Sequence, residues 1–239
     1  HLLGLGRHTL SGALCTLGQH QEDWSAQYRL YSKRRTEPEA AFATILREAS
    51  ARLGSGPVWL GIDDSTLRKS GRRIPRTGWR RDPLSPPFSV NFQWGQRVLQ
   101  SSLLWPHAGG PARALPVDFC VLPQSAKKAS VQERRASNVN VVAVSRLEKL
   151  RGHLPQTRRI VAAVDGRFTN RRFLRERPQS VSVGGRVRRD SALFHPPTAQ
   201  AQTGRRRLYG EPAPSPERLR VDESQPWERV RVFAAGKEH

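Results

Sequence analysis

The sequence of 239 residues contains no methionine and only two cysteines, Cys15 and Cys120. Two thiols exclude a disulfide framework. With no methionine the chain lacks an ordinary initiator, and the expectation is a fragment of a longer reading frame. No apolar run reaches the roughly 20 residues that span a bilayer, so a membrane protein is excluded as an expectation. The opening His1-Leu-Leu-Gly-Leu-Gly-Arg7 has no charged lead and no cleavage site, which leaves a cytoplasmic protein as the default. Acidic residues are scarce, 20 against 41 basic ones, for a net charge of +21. Lysine is scarce as well: 35 of the 41 basic residues are arginine. Arginine keeps its charge and forks onto phosphate oxygens, so the partner expected is a polyanion. Aromatic residues make up 7% and apolar residues 36%, beside 18 prolines and 19 glycines. A core is possible, but much of the chain must be loop.

What is present falls into three stretches. Residues 1–54 read as helical, with an apolar stripe from Leu2 to Leu17 and a stronger helix from Glu37 to Leu53, for which Thr36 is a plausible N-cap. Gly54-Ser-Gly-Pro57 ends that stretch. Residues 58–123 read as β: Val58–Asp63, one or two strands within Phe88–Trp105 with Phe88, Val90 and Phe92 alternating, and Ala114–Leu122. Leu67–Pro87 reads as a polar loop with seven basic residues. Beyond it come a helix over 131–153, a buried strand Ile160–Val164, a short helix Thr169–Glu176 and a strand Val181–Val187. From about Pro196 to Pro226 the composition is that of an insertion or linker. This order predicts an α/β fold, a mixed sheet with helices on its faces.

Two apolar runs end on aspartate: Val58-Trp-Leu-Gly-Ile-Asp-Asp-Ser-Thr66 and Arg159-Ile-Val-Ala-Ala-Val-Asp-Gly-Arg167. Carboxylates ending neighbouring strands meet at one sheet edge, about 4–5 Å apart across the strands. Their repulsion is relieved by a cation between them. Mg²⁺ is held by one or two carboxylates plus water and phosphate. Such ions do the main work of phosphoryl transfer on nucleic acid. Arg68, Lys69 and Arg72 follow the first motif, and Arg167 the second; basic side chains of this kind neutralise DNA phosphates. Arg186 and Arg188 follow Gly184-Gly185, where the backbone can approach a phosphate. Elsewhere, the histidines show no metal spacing, and there is no Walker loop and no nucleophile elbow. Trp59, Trp79, Trp94 and Trp105 are expected to pack in the core or in hairpins.

The set Gly61-Ile-Asp-Asp-Ser-Thr-Leu-Arg-Lys-Ser-Gly71, Val164-Asp-Gly-Arg-Phe-Thr-Asn170 and Val183-Gly-Gly-Arg-Val-Arg-Arg-Asp-Ser-Ala-Leu-Phe194 resembles the DDE-type transposases of bacterial insertion sequences. The resemblance is to the group with a ribonuclease H-like core and a late insertion. It implies a helical segment over 1–54 and a partial ribonuclease H-like catalytic core over 55–239, with the insertion from about 196 onward. It also implies metal-dependent DNA cleavage and strand transfer. Mg²⁺ or Mn²⁺ would be the cofactor, and transposon ends and target DNA the partners. A homodimer on DNA and a nucleoid-associated place in a bacterial cytoplasm go with it. Asp64 and Asp165 take the first two acidic positions as catalytic metal ligands. Asp64 is preferred to Asp63 because the family often follows that acid with two Ser/Thr-like residues, here Ser65-Thr66. Arg68, Lys69, Arg72, Arg167, Arg186 and Arg188 are the expected DNA contacts. The family's third acid, a glutamate on a later helix, has no counterpart in this sequence. The resemblance therefore also allows a catalytically inactive DNA-binding remnant of a decayed element. A basic RNA-associated protein is the remaining class, but it would have no use for paired strand-end aspartates.

Overall fold

The computed structural model describes residues 9–33, 37–82, 84–86, 88–107, 110–124, 130–198, 207–226, 228, 231, 233–234 and 237–238. The chain divides into two compact units, residues 1–41 and 42–239.

The first unit holds α1 (Leu10–Thr16) and α2 (Ser25–Ser32). Thr9 caps α1 by accepting the Gly12 amide at 3.0 Å. The Trp24 indole donates to the Gln19 carbonyl at 2.6 Å, which closes the turn between the helices. Helix α3 (Pro38–Arg52) runs on into the second unit; it matches the helix expected over Glu37–Leu53. The expected Thr36 cap and the Leu2–Leu5 part of the apolar stripe lie outside the described residues.

The second unit is built on one mixed sheet. Its strands are β1 (Val58–Arg68), β2 (Thr77–Arg81), β3 (Phe92–His107), β4 (Gly110–Val121), β5 (Ile160–Val164) and β6 (Val181–Gly185). The order is β2-β3-β1-β5-β6, with β4 also on β3. Strand β3 runs antiparallel to β1, β2 and β4, whereas β1, β5 and β6 are parallel. A mixed sheet flanked by helices is the ribonuclease H-like architecture expected from the sequence. Val58, Leu60 and Ile62 alternate inward on β1 and are buried. Ile160, Ala162 and Val164 do the same on β5. Helix α5 (Val139–Gly152) contributes Val139, Ala143, Leu147 and Leu150 to the same core. Burying that many branched side chains is the main driving force for the unit, at about 1.5–3 kcal/mol for each fully buried side chain.

Five expectations need correction. The polar stretch Leu67–Pro87 contains the strand β2, because Trp79 pairs with Trp94 across to β3, their rings edge to face at 5.8 Å. Phe88 and Val90 lie outside β3 and are exposed, since the alternation that holds the strand starts at Phe92. The helix expected over 131–153 is two, α4 (Val131–Ala136) and α5. Asn138 separates them by capping α5, its side chain accepting the Asn140 amide at 2.9 Å. The strand expected to reach Val187 ends at Gly185. The helix expected from Thr169 is α6 (Arg171–Glu176), capped by Asn170.

After β6 come β7 (Leu193–Phe194), β8 (Pro212–Ala213), α7 (Pro216–Val221) and the pair β9 (Phe233–Ala234) and β10 (Lys237–Glu238). No described residue of 195–226 is buried. Among the described residues no helix is long and apolar enough to cross a membrane.

Candidate metal and DNA site

The site lies where β1 and β5 run side by side. Their register pairs Ile62 with Val164, so the next residues on each strand are Asp63 and Asp165. Parallel register partners point to the same side of a sheet. Asp63 and Asp165 accordingly line one open cleft of about 780 Å³, together with Gly61, Ser65, Gln100 and Arg186.

Local hydrogen bonds fix both carboxylates. Asp63 Oδ1 accepts the Asp64 amide at 2.8 Å. Asp165 Oδ1 accepts the Arg167 amide at 3.0 Å, in a turn that the Phe168 amide closes on the Asp165 carbonyl at 3.1 Å. Phe168 and Phe173 anchor this turn from below, both fully buried and packed edge to face at 5.6 Å. Thr169 ties it to the end of β6, donating its hydroxyl to the Arg186 carbonyl at 2.7 Å. Gly185 is required at that junction: a Cβ there would lie 2.8 Å from the Val164 carbonyl oxygen and 2.6 Å from the Thr169 methyl. That close approach, rather than a phosphate grip, accounts for the second glycine of Gly184-Gly185.

Burial raises the Asp63 carboxyl above the ordinary carboxylate value. The Asp64 amide works against this, while the negative charges of Asp165 and Asp64 add to it. A cation in the cleft would relieve the repulsion. Two carboxylates are also what Mg²⁺ or Mn²⁺ takes from a protein when phosphate and water complete its shell. The residues present therefore fit such an ion. Among the described residues, no group of three or more His, Cys, Asp and Glu side chains gathers as a ready ligand set.

Asp64, one residue on, alternates away from this cleft and is engaged differently. Arg97 Nε of β3 donates to its Oδ2 at 2.7 Å, and Arg167 Nε lies 3.3 Å from its Oδ1. The Asp64 side chain is 11% exposed and that of Arg97 21%. Arg97 reaches Asp64 because β1 and β3 pair Thr66 with Arg97 and Asp64 with Leu99, a diagonal across two strands.

The six expected DNA contacts separate into groups. Arg167 and Arg186 lie at the aspartates, the first on Asp64 and the second on the cleft wall. Arg68 ends β1, and the Lys69 amide bonds the Trp94 carbonyl at 2.9 Å. The Arg72 guanidinium sits 5.7 Å from the centre of the Trp94 ring. These three are beyond the cleft lining. Arg188 forms a two-point pair with Asp190, at 3.0 and 2.8 Å. Of the four tryptophans expected to pack in the core or in hairpins, Trp105 packs on the core and Trp79 and Trp94 pair across a hairpin, whereas Trp59 is exposed. Sequence reasoning passed over Arg97. Its signal was a single charge inside the otherwise uncharged run Phe92–Trp105.

A family model described as "DDE superfamily endonuclease" matches residues 1–238. No curated protein matches the chain, and no solved structure does.

Proposed function

Because the chain belongs to the DDE superfamily of endonucleases, we propose that it acts as a transposase, cutting DNA strands and joining them to a target in a metal-dependent way. The observation that carries the reading is the β1–β5 register, which supports Asp63 and Asp165 as a carboxylate pair facing one cleft. Asp165 is one metal ligand. Asp63 is the cleft-facing second. Asp64, which the family pattern favours, joins the ion if Arg167 releases it. When bound, Mg²⁺ or Mn²⁺ supplies activation of the attacking oxygen and neutralisation of charge at the phosphate under attack.

The chain's own groups do the rest. Arg167 and Arg186 hold the phosphate beside the carboxylates, where forked donors fit its oxygens. Arg68, Lys69, Arg72 and Arg188 steer the duplex through charge. The turn from Asp165 to Asn170 keeps the Asp165 carboxylate aimed by its own amide bond. In the displacement an attacking oxygen forms a bond to phosphorus as the bond to the leaving oxygen breaks. A homodimer on DNA in a bacterial insertion element fits this reading.

A second reading is a DNA-binding chain without cleavage activity. It is favoured by the lack, among the described residues, of a third ligand beside the two aspartates.

One assay separates the two. Plasmid nicking is measured with Mg²⁺ or Mn²⁺, beside duplex binding without metal, for the wild type and for Asp63→Asn, Asp64→Asn and Asp165→Asn. The transposase reading expects nicking that falls at least about 100-fold in Asp165→Asn. A comparable loss in Asp63→Asn supports the cleft-facing pair, and a loss in Asp64→Asn instead moves the second ligand to Asp64. Binding without nicking favours the second reading. Nicking that survives all three substitutions rejects the metal site.

A further inference from the structure

Arg97 has a neighbour that the proposed chemistry does not use. Arg80, on β2, stands opposite Gln93, four residues before Arg97 on the same side of β3. Both guanidiniums are partly withdrawn from water. Arg80 Nε, Arg80 Nη2 and Arg97 Nη2 are out of contact with solvent and have no partner among the described residues. The other arginines in this state differ. Arg151 gives its two Nη atoms to the carbonyls of Arg158, Leu154 and Pro155, and Arg158 gives its own to those of Ser50 and Gly54. Each has a structural task that explains its burial. The Arg80 side chain makes no hydrogen bond or ion pair with any described residue.

This is a costly arrangement. A buried donor left unpaired forfeits its hydration without return, and the cost is larger for a charged group. Burial, and then the charge of Arg97, holds the Arg80 guanidinium below its ordinary value. The anion that Arg97 does hold, Asp64, takes only its Nε and lies against Arg167 as well. Arg80 and Arg97, close enough for one charge to act on the other, thus have three nitrogen donors over. What is missing is an anion with several oxygens.

We propose that Arg80 and Arg97 form an anion site beside Asp64, and that the anion it takes is a backbone phosphate of DNA. A phosphate offers enough oxygens for both forks at once, which a single carboxylate already bonded to Arg97 does not. Arg97 links this site to Asp64, the chain neighbour of the cleft-facing Asp63, so a phosphate bound here holds the DNA at a set place along β1. Strand β2 ends the strand order of the sheet, so the Arg80 side chain can swing outward to meet the phosphate without disturbing the strands between β3 and β6.

The proposal rests on the DNA reading above, and the test keeps the two apart. Binding of the full chain to a duplex, without metal, is measured over a range of NaCl concentrations for wild type, Arg80→Gln and Arg80→Lys, with thermal unfolding of each. Wild type should bind with a steep salt dependence. Arg80→Gln should bind more weakly, with the slope of log K against log salt reduced by about 0.9, one phosphate contact. Its Tm should hold or rise, because an unpaired buried charge has gone. Arg80→Lys, which keeps the charge and should fold in either case, should keep the slope but lose about tenfold in affinity, since an ammonium cannot fork. An unchanged slope in folded Arg80→Gln, or wild-type affinity in Arg80→Lys, overturns the anion site while leaving the DNA reading intact. A wild type that does not bind DNA removes that reading and the site with it.

Discussion

Two ion pairs of this molecule look alike on paper and differ in what surrounds them. Asp118 of β4 is bound by Arg146 of α5 at two points, the Nε contact at 2.8 Å, with side-chain exposures of 5% and 15%. Asp64 of β1 is bound by Arg97 of β3 at 2.7 Å, also with little exposure. The first joins a helix to the sheet over the core and uses both oxygens on one fork, which is the geometry that best offsets desolvation. The second spreads Asp64 between two arginines and leaves an Arg97 donor unpaired. The first pair has no atom among the unpartnered buried ones; the other has unmet bonding capacity that a ligand can use. Burial alone does not tell a structural ion pair from a functional one, whereas counting the donors left over does.

Even the placement of the closed pair depends on an irregularity. The β3–β4 register shifts between Ser101 and Ser102, pairing them with Asp118 and Pro116 and leaving Val117 as the extra residue. Both Val117 and Asp118 are consequently buried, which simple alternation would forbid.

The comparison can be broken most forcefully at Asp118. Asp118→Asn should destabilise by about 3–5 kcal/mol, because it removes the negative charge from a buried ion pair. In thermal unfolding that is a fall in Tm of about 10 °C. Asp64→Asn should cost far less, under about 1.5 kcal/mol, since Arg167, its second partner, is 48% exposed and its share of the pairing is screened by water; equal losses from the two variants would erase the distinction between the pairs. Gly185→Ala comes between them. Its methyl meets the Val164 carbonyl and Thr169, so it should cost about 1–3 kcal/mol and weaken Mn²⁺ binding by moving the Asp165 turn, as calorimetry would show. The smallest effect belongs to Asp63. Its carboxyl is raised above the ordinary 3.8, so the folded state favours the protonated form and loses stability as pH rises through the interval above 3.8. Asp63→Asn should therefore raise Tm at pH 7 by no more than about 2 °C, and the gain should vanish below pH 3.8. A gain that persists in acid would mean the repulsion is not its cause.

The sequence shows some of this plainly. Ile160–Val164 is a strand to the residue, because a short, β-branched, fully apolar run bounded by charge has few other uses. Strand β2 is hidden, since Thr77-Gly-Trp-Arg-Arg81 becomes a strand only through its pairing with β3. The aspartates are legible as ends of apolar runs. Which of Asp63 and Asp64 faces the cleft is not, because that depends on the register between β1 and a strand about 100 residues later. Arg97 and Arg80 are harder still: the first meets Asp64 through a diagonal across two strands, and the second shows itself only by donors left without partners.

Strand β3 divides one edge between two partners, β2 along Phe92–Gln96 and β4 along Val98–His107, while β1 covers its other edge. Arg97 stands at the seam. Its carbonyl is not left bare there, for the Leu122 amide donates to it at 2.8 Å. In hydrogen-exchange terms, β3 should therefore behave as one slow block with no weak point at residue 97, opening only when the whole sheet does. The arginine that grips Asp64 is mounted on the part of the molecule that yields last, so its guanidinium can be mobile while the point it pivots on stays fixed.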